Sequence, residues 1–345
     1  MYKESEIMKT ITNKIKSSHQ SILKQMFSKR QFNIQVALII EKIYNSKFIQ
    51  KYLKLIRNER SVLQKYDRMS GMYIEFYNNA ITDTENKLVV FNNEYKLLPI
   101  KEMIRAREDY ITSLIREYSP RNCIEIGAGE LTFITPIAGK NKDIEFSALE
   151  LSWSRIAVGL EFAKKYNVYF HHLVMGSAMN LPFPENSFDV VITHHCLEQI
   201  RGKLKHIISE LYRISRKVVI ILEPSSDLGN WYLRQQLRMN QRVRGIKKTI
   251  KDLGYQLVTY KWLPYSIGYI NRTGMYIIEK DTSGPFPEHI SYVCPFCKRP
   301  LQLHDSLLFC EACGMIYPFI KNIPCLREDD GILASKFLEL SLGKV

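Results

Sequence analysis

Residues 123–133 read CIEIGAGELTF, and Glu150 closes the next apolar run, IEFSALE. A carboxylate (Glu125) stands two residues before the first glycine of a pair (Gly127, Gly129). A second carboxylate follows about 20 residues on, the separation used by nucleotide-type cofactor sites. Glycine accepts a tight left-handed turn and lets a backbone approach a ligand with no Cβ in the way. Glu150 can accept hydrogen bonds from two neighbouring hydroxyls, as a ribose presents them. A second constellation lies further on, where Cys294-Pro-Phe-Cys297 is separated by twelve residues from Cys310-Glu-Ala-Cys313. Two such knuckles supply four thiolates, the donor set of a closed tetrahedral zinc site with no position open to substrate. Cys325, between Pro324 and Leu326, reads as small apolar filler.

Details of the first constellation discriminate between ligands. A dinucleotide site wants a third glycine for helix packing, and Thr132 stands there. A pyrophosphate is repelled by a nearby carboxylate, whereas Glu125 attracts a cation. S-adenosylmethionine carries a sulfonium and an ammonium and no phosphate, so the turn suits it better than a dinucleotide. The elements needed are a buried strand, Cys123–Ile126, running into the turn, and a second strand delivering Glu150 at the carboxyl edge of a parallel sheet.

Residues 176–200, GSAMNLPFPENSFDVVITHHCLEQI, resemble the stretch around strands three and four of class I S-adenosylmethionine-dependent methyltransferases, the ubiquinone-biosynthesis-like group in particular. With the Gly turn, Glu150 and the run Lys217–Leu222 ending in Glu223-Pro224, the resemblance covers residues 105–280. It implies an α/β fold, a doubly wound, Rossmann-like, seven-stranded and mostly parallel sheet with helices on both faces. Within it, Arg105–Tyr118 is the helix before strand one and Asp189–Thr193 is strand four. Lys203–Ser215 is the helix after that strand, and Gly254–Leu263 with Tyr269–Lys280 is the closing antiparallel pair.

The resemblance also implies roles. Glu125, Gly127, Ala128 and Gly129 would hold the methionine end of the cofactor and Glu150 its ribose. Leu151 would flank the adenine, with Ser177 and Ala178 beside its amino group. Many relatives carry Asp where Ser177 stands; Ser accepts a hydrogen bond but brings no charge. His194 and His195 follow strand four, near the methionine moiety and the transferred methyl. They are candidates for a catalytic base, because His titrates near neutral pH, and Glu198 is a third. The Asn-Pro-Pro-Tyr loop common in enzymes that methylate nitrogens of nucleic acids and glutamine is missing, and Cys196 is not in a cytosine-C5 nucleophile motif.

The segment after the second knuckle, MIYPFIKNIPCL, resembles the small zinc-containing activator subunits of tRNA and protein methyltransferases, here fused in cis. A module this short builds little core alone, so metal should supply much of its folding energy.

The chain of 345 residues thus divides into a basic, mainly helical N-terminal extension (1–104), a methyltransferase domain (105–283) and a small four-cysteine zinc-binding domain (284–345). Residues 1–70 carry fifteen Lys or Arg against five acids, ten of the chain's net +14. Apolar Ile40, Ile43, Phe48, Tyr52 and Leu55 fall near helical spacing there. Three readings suit this segment: a solvated helical layer, a peripheral contact with an anionic membrane surface, and an RNA-gripping surface. Lys87–Phe91 and Tyr95–Pro99 around Asn92-Asn93 predict a hairpin. The insertion between Glu223 and Gly254 is helical in pattern and offers Arg234, Arg238, Arg242 and Arg244 to an anionic substrate.

No apolar run reaches the roughly 18 residues of a membrane span, and Lys and Glu interrupt every early apolar cluster. Cysteines spent on a metal pattern point to a reducing compartment. The expectation is a cytoplasmic methyltransferase, free or peripheral to the inner face of the membrane, acting on a hydroxyl of a small molecule or surface-glycan precursor. An RNA methyltransferase and a non-catalytic cofactor-binding scaffold are the alternatives.

Overall fold

The computed structural model describes residues 59–197, 203–229, 231, 234, 243–267, 272–281 and 289–341. The basic positions before residue 59, Glu198, Arg238 and Arg242 lie outside the described residues. Residues Glu59–Val345 form one compact unit.

The unit opens with two short helices, α1 (Glu59–Arg68) and α2 (Met72–Thr82). A hairpin follows, β1 (Asn86–Phe91) and β2 (Glu94–Pro99). Asn92 and Asn93 turn it with φ of 52° and 66°, the two left-handed positions of a tight hairpin turn that Asn tolerates. Helix α3 (Ile100–Arg116) then leads into β3 (Asn122–Ile126). After the glycine turn come α4 (Ile134–Lys140), β4 (Glu145–Glu150), α5 (Trp153–Lys165) and β5 (Leu173–Gly176). They are followed by β6 (Phe188–His194), α6 (Leu204–Ile214), β7 (Ser215–Pro224), α7 (Ile246–Asp252), β8 (Gln256–Trp262) and β9 (Thr273–Glu279).

Strands β5-β4-β3-β6-β7-β9-β8 lie side by side in that order. The pairs from β5 to β7 are parallel, and β9 is antiparallel to both β7 and β8, so the sheet is mixed. The order reverses at β3, where crevices open at the carboxyl ends of parallel strands. Both faces of β3, β4, β6, β7 and β9 are buried, which is why these strands read as mostly apolar runs, whereas the edge strand β8 alternates. Along β7, Val218, Ile220 and Leu222 join one core with Ile111 and Ile115 of α3 and Ala163 of α5. Val219 and Ile221 join the other with Ile207 and Leu211 of α6 and Ile250 of α7. Two-residue periodicity on a doubly covered sheet thus sorts one strand between two layers.

The sheet does not stop at β5. Beyond it run β10 (Gln302–His304), β11 (Leu307–Cys310), β12 (Met315–Ile320) and β13 (Ile323–Leu326), and β14 (Ile332–Leu333) pairs with β12. The described chain closes with α8 (Phe337–Ser341). Strand β13 adds to β5 in parallel, Cys325 opposite Met175 and Leu326 opposite Gly176. The sequence reading treats the sheet as seven strands and the cysteine segment as a separate small domain. The structure instead runs the cysteine strands onto the open edge of β5, and Cys294, Leu301, Leu308, Tyr317 and Leu326 share the α6-side core. An edge strand with unpaired backbone groups is a ready partner for such addition.

Candidate active site and cysteine centre

The carboxyl end of β3 breaks into the glycine turn. Gly127 and Gly129 have φ of 76° and 59°, and the backbone N–H groups of Gly127 and Ala128 both donate to Leu149 O, at 2.8 and 3.0 Å. The space that Cβ atoms would need at these two positions is occupied by the protein itself. A Cβ on Gly127 would press on Cys196, 2.7 Å from its Cβ, and one on Gly129 would lie 2.5 Å from an Arg155 guanidinium nitrogen. Leu131, fully buried, also takes a left-handed φ of 59°.

Glu150 ends β4 beside this turn. Its Oε2 accepts from Gly129 N at 2.8 Å and its Oε1 from Ser152 N at 3.1 Å. A carboxylate has about four acceptor positions, so capacity for two ribose hydroxyls remains. Leu151 follows at the same strand end, and Ala178 is buried in the β5 exit loop. Ser177 turns its hydroxyl inward, accepting from Met179 N at 3.1 Å.

Glu125 is 1% exposed, and among the described residues its Oε2 has no hydrogen-bond partner. Burial, with the neighbouring Glu150 charge, pushes its carboxyl up to about 8, against the pull of Arg155 and Arg107. A buried acceptor with nothing to accept from calls for a donor, and a cation there would meet both needs. The residues therefore fit the ammonium of S-adenosylmethionine at Glu125 and its ribose at Glu150.

His194 and His195 leave β6 in different states. The His194 ring stacks on Phe133, centroids 4.2 Å apart, and among the described residues its Nε2 is buried with no hydrogen-bond partner. Burial, His195 and Arg107 hold its pKa well below the ordinary value, so it is neutral near pH 7. His195, at φ 54°, shares a hydrogen bond between its Nε2 and Thr273 Oγ1 at 2.9 Å. Of the two, His194 is the one whose Nε2 has no hydrogen-bond partner among the described residues.

Several residues at the site are given no role by the sequence motifs. Arg107 of α3 lies 5.8 Å from the Phe133 ring centroid, with its Nε buried and unpartnered among the described residues. Glu223, fully buried at the end of β7, accepts from Cys196 N and Leu197 N at 2.7 and 2.8 Å and so fixes the loop that follows His194. Its carboxyl is raised to about 8 by burial, which these two hydrogen bonds partly offset. Glu130, next to Gly129, accepts from Tyr73 N and Ile74 N at 3.1 and 2.9 Å, placing a carboxylate at the N-terminus of α2. Arg155 lies between Tyr66 and Tyr73, 5.1 and 4.9 Å from their ring centroids, and 3.7 Å from Glu150. Ser152 donates its hydroxyl to Asp67 at 2.7 Å, and this bond holds the Asp67 carboxyl below its usual range. Helices α1 and α2, which the sequence reading places in the extension, therefore roof the Gly turn.

Arg234 of the insertion is bonded back onto its own segment. Its Nε donates to Ser226 O and Gly229 O, at 3.2 and 2.9 Å. With Arg244, Lys247, Lys248 and Lys251 it lines a cavity of about 660 Å³ that also contains Asp227, Asp252 and Tyr260.

The four cysteines converge. Their sulfurs all lie within 4.8 Å of one another, with separations of 3.4 Å for Cys297–Cys310 and 3.7 Å for Cys294–Cys313 and Cys297–Cys313. A tetrahedral zinc with bonds of about 2.3 Å sets its sulfurs about 3.8 Å apart, so the donor set fits that ion. Each knuckle is closed by one backbone bond, Lys298 N to Cys294 O and Gly314 N to Cys310 O, both 2.8 Å. Cys325 is buried in β13, away from this cluster.

Residues 124–222 match the family described as methyltransferase domain. Ajmaline N-methyltransferase of Rauvolfia serpentina is 29% identical over 116 residues, 31% of this chain and 37% of that protein. Demethylmenaquinone methyltransferase of Listeria welshimeri is 34% identical over 68 residues, 20% of this chain and 28% of that protein. The chain therefore spans well under half the length of these relatives. Among solved structures, magnesium protoporphyrin IX methyltransferase of Synechocystis, with bound S-adenosylhomocysteine, overlaps 65% of this chain and 100% of its own at 12% identity and a TM-score of 0.45. Residues 124–222 are thus similar to a methyltransferase domain, and the strand order and mixed sheet are those of a Rossmann-like fold. No described helix is long and apolar enough to cross a membrane.

Proposed function

We propose that this protein transfers a methyl group from S-adenosylmethionine to a hydroxyl of a small molecule or surface-glycan precursor. One observation carries the reading: the buried Glu125 oxygen and the buried His194 nitrogen, both without a partner among the described residues, at adjacent strand ends beside the glycine turn.

The cofactor, when bound, supplies a methyl carbon activated by a sulfonium. The chain's residues bind, orient and manage protons. Glu125 accepts the cofactor's ammonium, Gly127, Ala128 and Gly129 shape the turn beneath it, and Glu150 accepts the ribose hydroxyls. Leu151, Ser177 and Ala178 border the adenine. His194, neutral because it is buried, takes the proton of the acceptor hydroxyl at Nε2, the task of a positioned general base. Phe133 fixes its ring by stacking, and the Arg107 charge disfavours its imidazolium until an anionic group arrives. Four thiolates hold a structural zinc at the far edge of the sheet.

The test is titration of S-adenosylhomocysteine into the purified zinc-loaded protein, with Glu150→Ala and Glu125→Gln alongside. Micromolar affinity, lost in Glu150→Ala, is expected; no binding to the wild type overturns the enzyme and the cofactor-binding scaffold alike, and binding with no methyl transfer to any acceptor brings forward the scaffold. A second reading, transfer to RNA, draws support from the cavity lined by Arg244, Lys247, Lys248 and Lys251. RNA affinity there should fall steeply with added salt, whereas the KM of a small neutral acceptor should change little.

A further inference from the structure

We propose that Lys298 of the first cysteine knuckle is a positioning residue for the cofactor, linking metal occupancy of the four-cysteine cluster to the loop that borders the adenine. The inference rests on the methyltransferase reading and adds to it a role for the module.

The loop is the exit of β5, residues 177–183. Its backbone is held from one side by α6 and from the other by the cysteine module. Glu210 Oε2 accepts from Leu181 N at 2.9 Å, and Arg213 donates to Leu181 O and Phe183 O at 3.0 and 2.7 Å. Lys298 Nζ donates to the same Glu210 oxygen at 2.8 Å and to Leu181 O at 3.2 Å. Val293, just before the first zinc cysteine, donates its N–H to Pro182 O at 3.1 Å. Asn180 Nδ2 donates to Glu328 at 2.5 Å. Three residues of this loop are therefore tied to the segment that carries the cysteines, and β13 extends the strand the loop leaves.

The conformation of Lys298 marks it as chosen for its side chain. Lys298 and Gly314 occupy equivalent places, each one residue after the second cysteine of its knuckle, with φ of 61° and 66°. Left-handed backbone costs an L-residue roughly 1–2 kcal/mol and glycine almost nothing. The second knuckle uses glycine; the first carries a lysine whose ammonium meets a 7% exposed carboxylate. Metal binding closes the knuckle, the knuckle aims Lys298, and Lys298 with Glu210 fixes Leu181. A charge-assisted bond of this kind contributes more than a neutral one, because losing it leaves Glu210 less compensated.

The variant Lys298→Gly tests this, since it relaxes the backbone of the knuckle while removing the ammonium. The full chain should keep one zinc per molecule by elemental analysis and keep its Tm. S-adenosylhomocysteine affinity should weaken about tenfold by calorimetry. Amide exchange over residues 177–183 should rise to the level that zinc chelation produces in the wild type. Chelation should then change the variant's loop exchange far less than it changes the wild type's. Glu210→Gln, outside the cysteine segment, keeps an acceptor for Leu181 but loses the charge. It should reproduce the affinity loss with zinc retained, which separates the effect from a misfolded knuckle. If wild type and Lys298→Gly bind the ligand equally and their loops exchange alike, the coupling is overturned while the cofactor reading stands. If the wild type binds no S-adenosylhomocysteine, both fall.

Discussion

The Glu130 carboxylate accepts the backbone N–H of Ile74 at 2.9 Å, across 56 residues of chain. That bond, with a second to Tyr73 N, seats α2 on the glycine turn and brings Tyr73 against Arg155. The carboxylate serves as a helix cap supplied from the active-site loop, since no side chain caps α2 from within its own sequence. Glu130→Ala should lower stability by about 1–2 kcal/mol, the scale of a lost N-cap. It should also raise amide exchange in α2 before the rest of the fold. Urea unfolding and exchange mass spectrometry check both; a variant with wild-type stability and unchanged α2 protection rules the cap out.

Two buried carboxyls make stability depend on pH. Glu125 and Glu223 titrate near 8 in the folded protein instead of at the ordinary 4.5. Between those values the folded state holds protons that the unfolded state has released. Stability therefore falls as pH rises through this window and levels off above it. Glu125→Gln should reduce the fall to the part that Glu223 contributes, and its Tm should exceed the wild type's most clearly at about pH 8 and above. Cofactor binding runs the other way, because an ammonium prefers the ionised carboxylate. S-adenosylhomocysteine affinity should tighten from pH 6.5 toward about 8 in the wild type and lose that slope in Glu125→Gln. Thermal scans and calorimetry across this range check the two opposite signs together.

Much of the sheet was legible because its strands are buried on both faces and punctuated by glycine, proline and asparagine. Residues 122–126 and 188–194 form strands within a residue of where their apolar runs suggest. Glu125, the glycine pair and Glu150 could be placed from spacing alone, since a strand followed by a tight turn leaves few places for its side chains. The roof of α1 and α2 was hidden. Its contacts join Asp67 to Ser152 and Tyr73 to Glu130, pairs separated by 85 and 57 residues, and no local pattern announces such pairs. Helix α3 likewise begins at Ile100, five residues earlier than the sequence suggests, directly after Pro99. A proline there lacks only an N–H that the first turn would leave unpaired anyway. The union of the cysteine segment with β5 was hidden for a related reason: edge addition uses backbone groups, which every sequence has.

Four sulfurs held within 4.8 Å, without disulfide bonds, make a metal requirement testable. Cys310→Ser should abolish stoichiometric zinc and lower Tm by several degrees, on the order of 1–2 kcal/mol or more at about 2–4 °C per kcal/mol for a domain of this size. The wild type treated with a chelator should approach the same Tm, and the variant should not respond to chelator. Because Cys310 also lies in the shared apolar core, serine burial adds to the loss. The chelator arm isolates the metal's part. A wild type that purifies without zinc and shows no shift on adding it contradicts the assignment.

His194 offers the sharpest test of the chemistry. Its ring is fixed by Phe133 and its Nε2 has no hydrogen-bond partner among the described residues, so its contribution should appear in the chemical step and not in cofactor binding. His194→Gln keeps a polar planar group on Phe133 but cannot take a proton. It should bind S-adenosylhomocysteine within about twofold of the wild type, because Glu125 and Glu150 are untouched. Once an acceptor is found, kcat should fall by about 10²–10⁴, the range for removing a general base. His195→Gln should cost less, because His195 already shares its Nε2 with Thr273. If the two variants lose kcat equally, or if His194→Gln instead raises the cofactor Kd, the base lies elsewhere and His194 serves to shape the site.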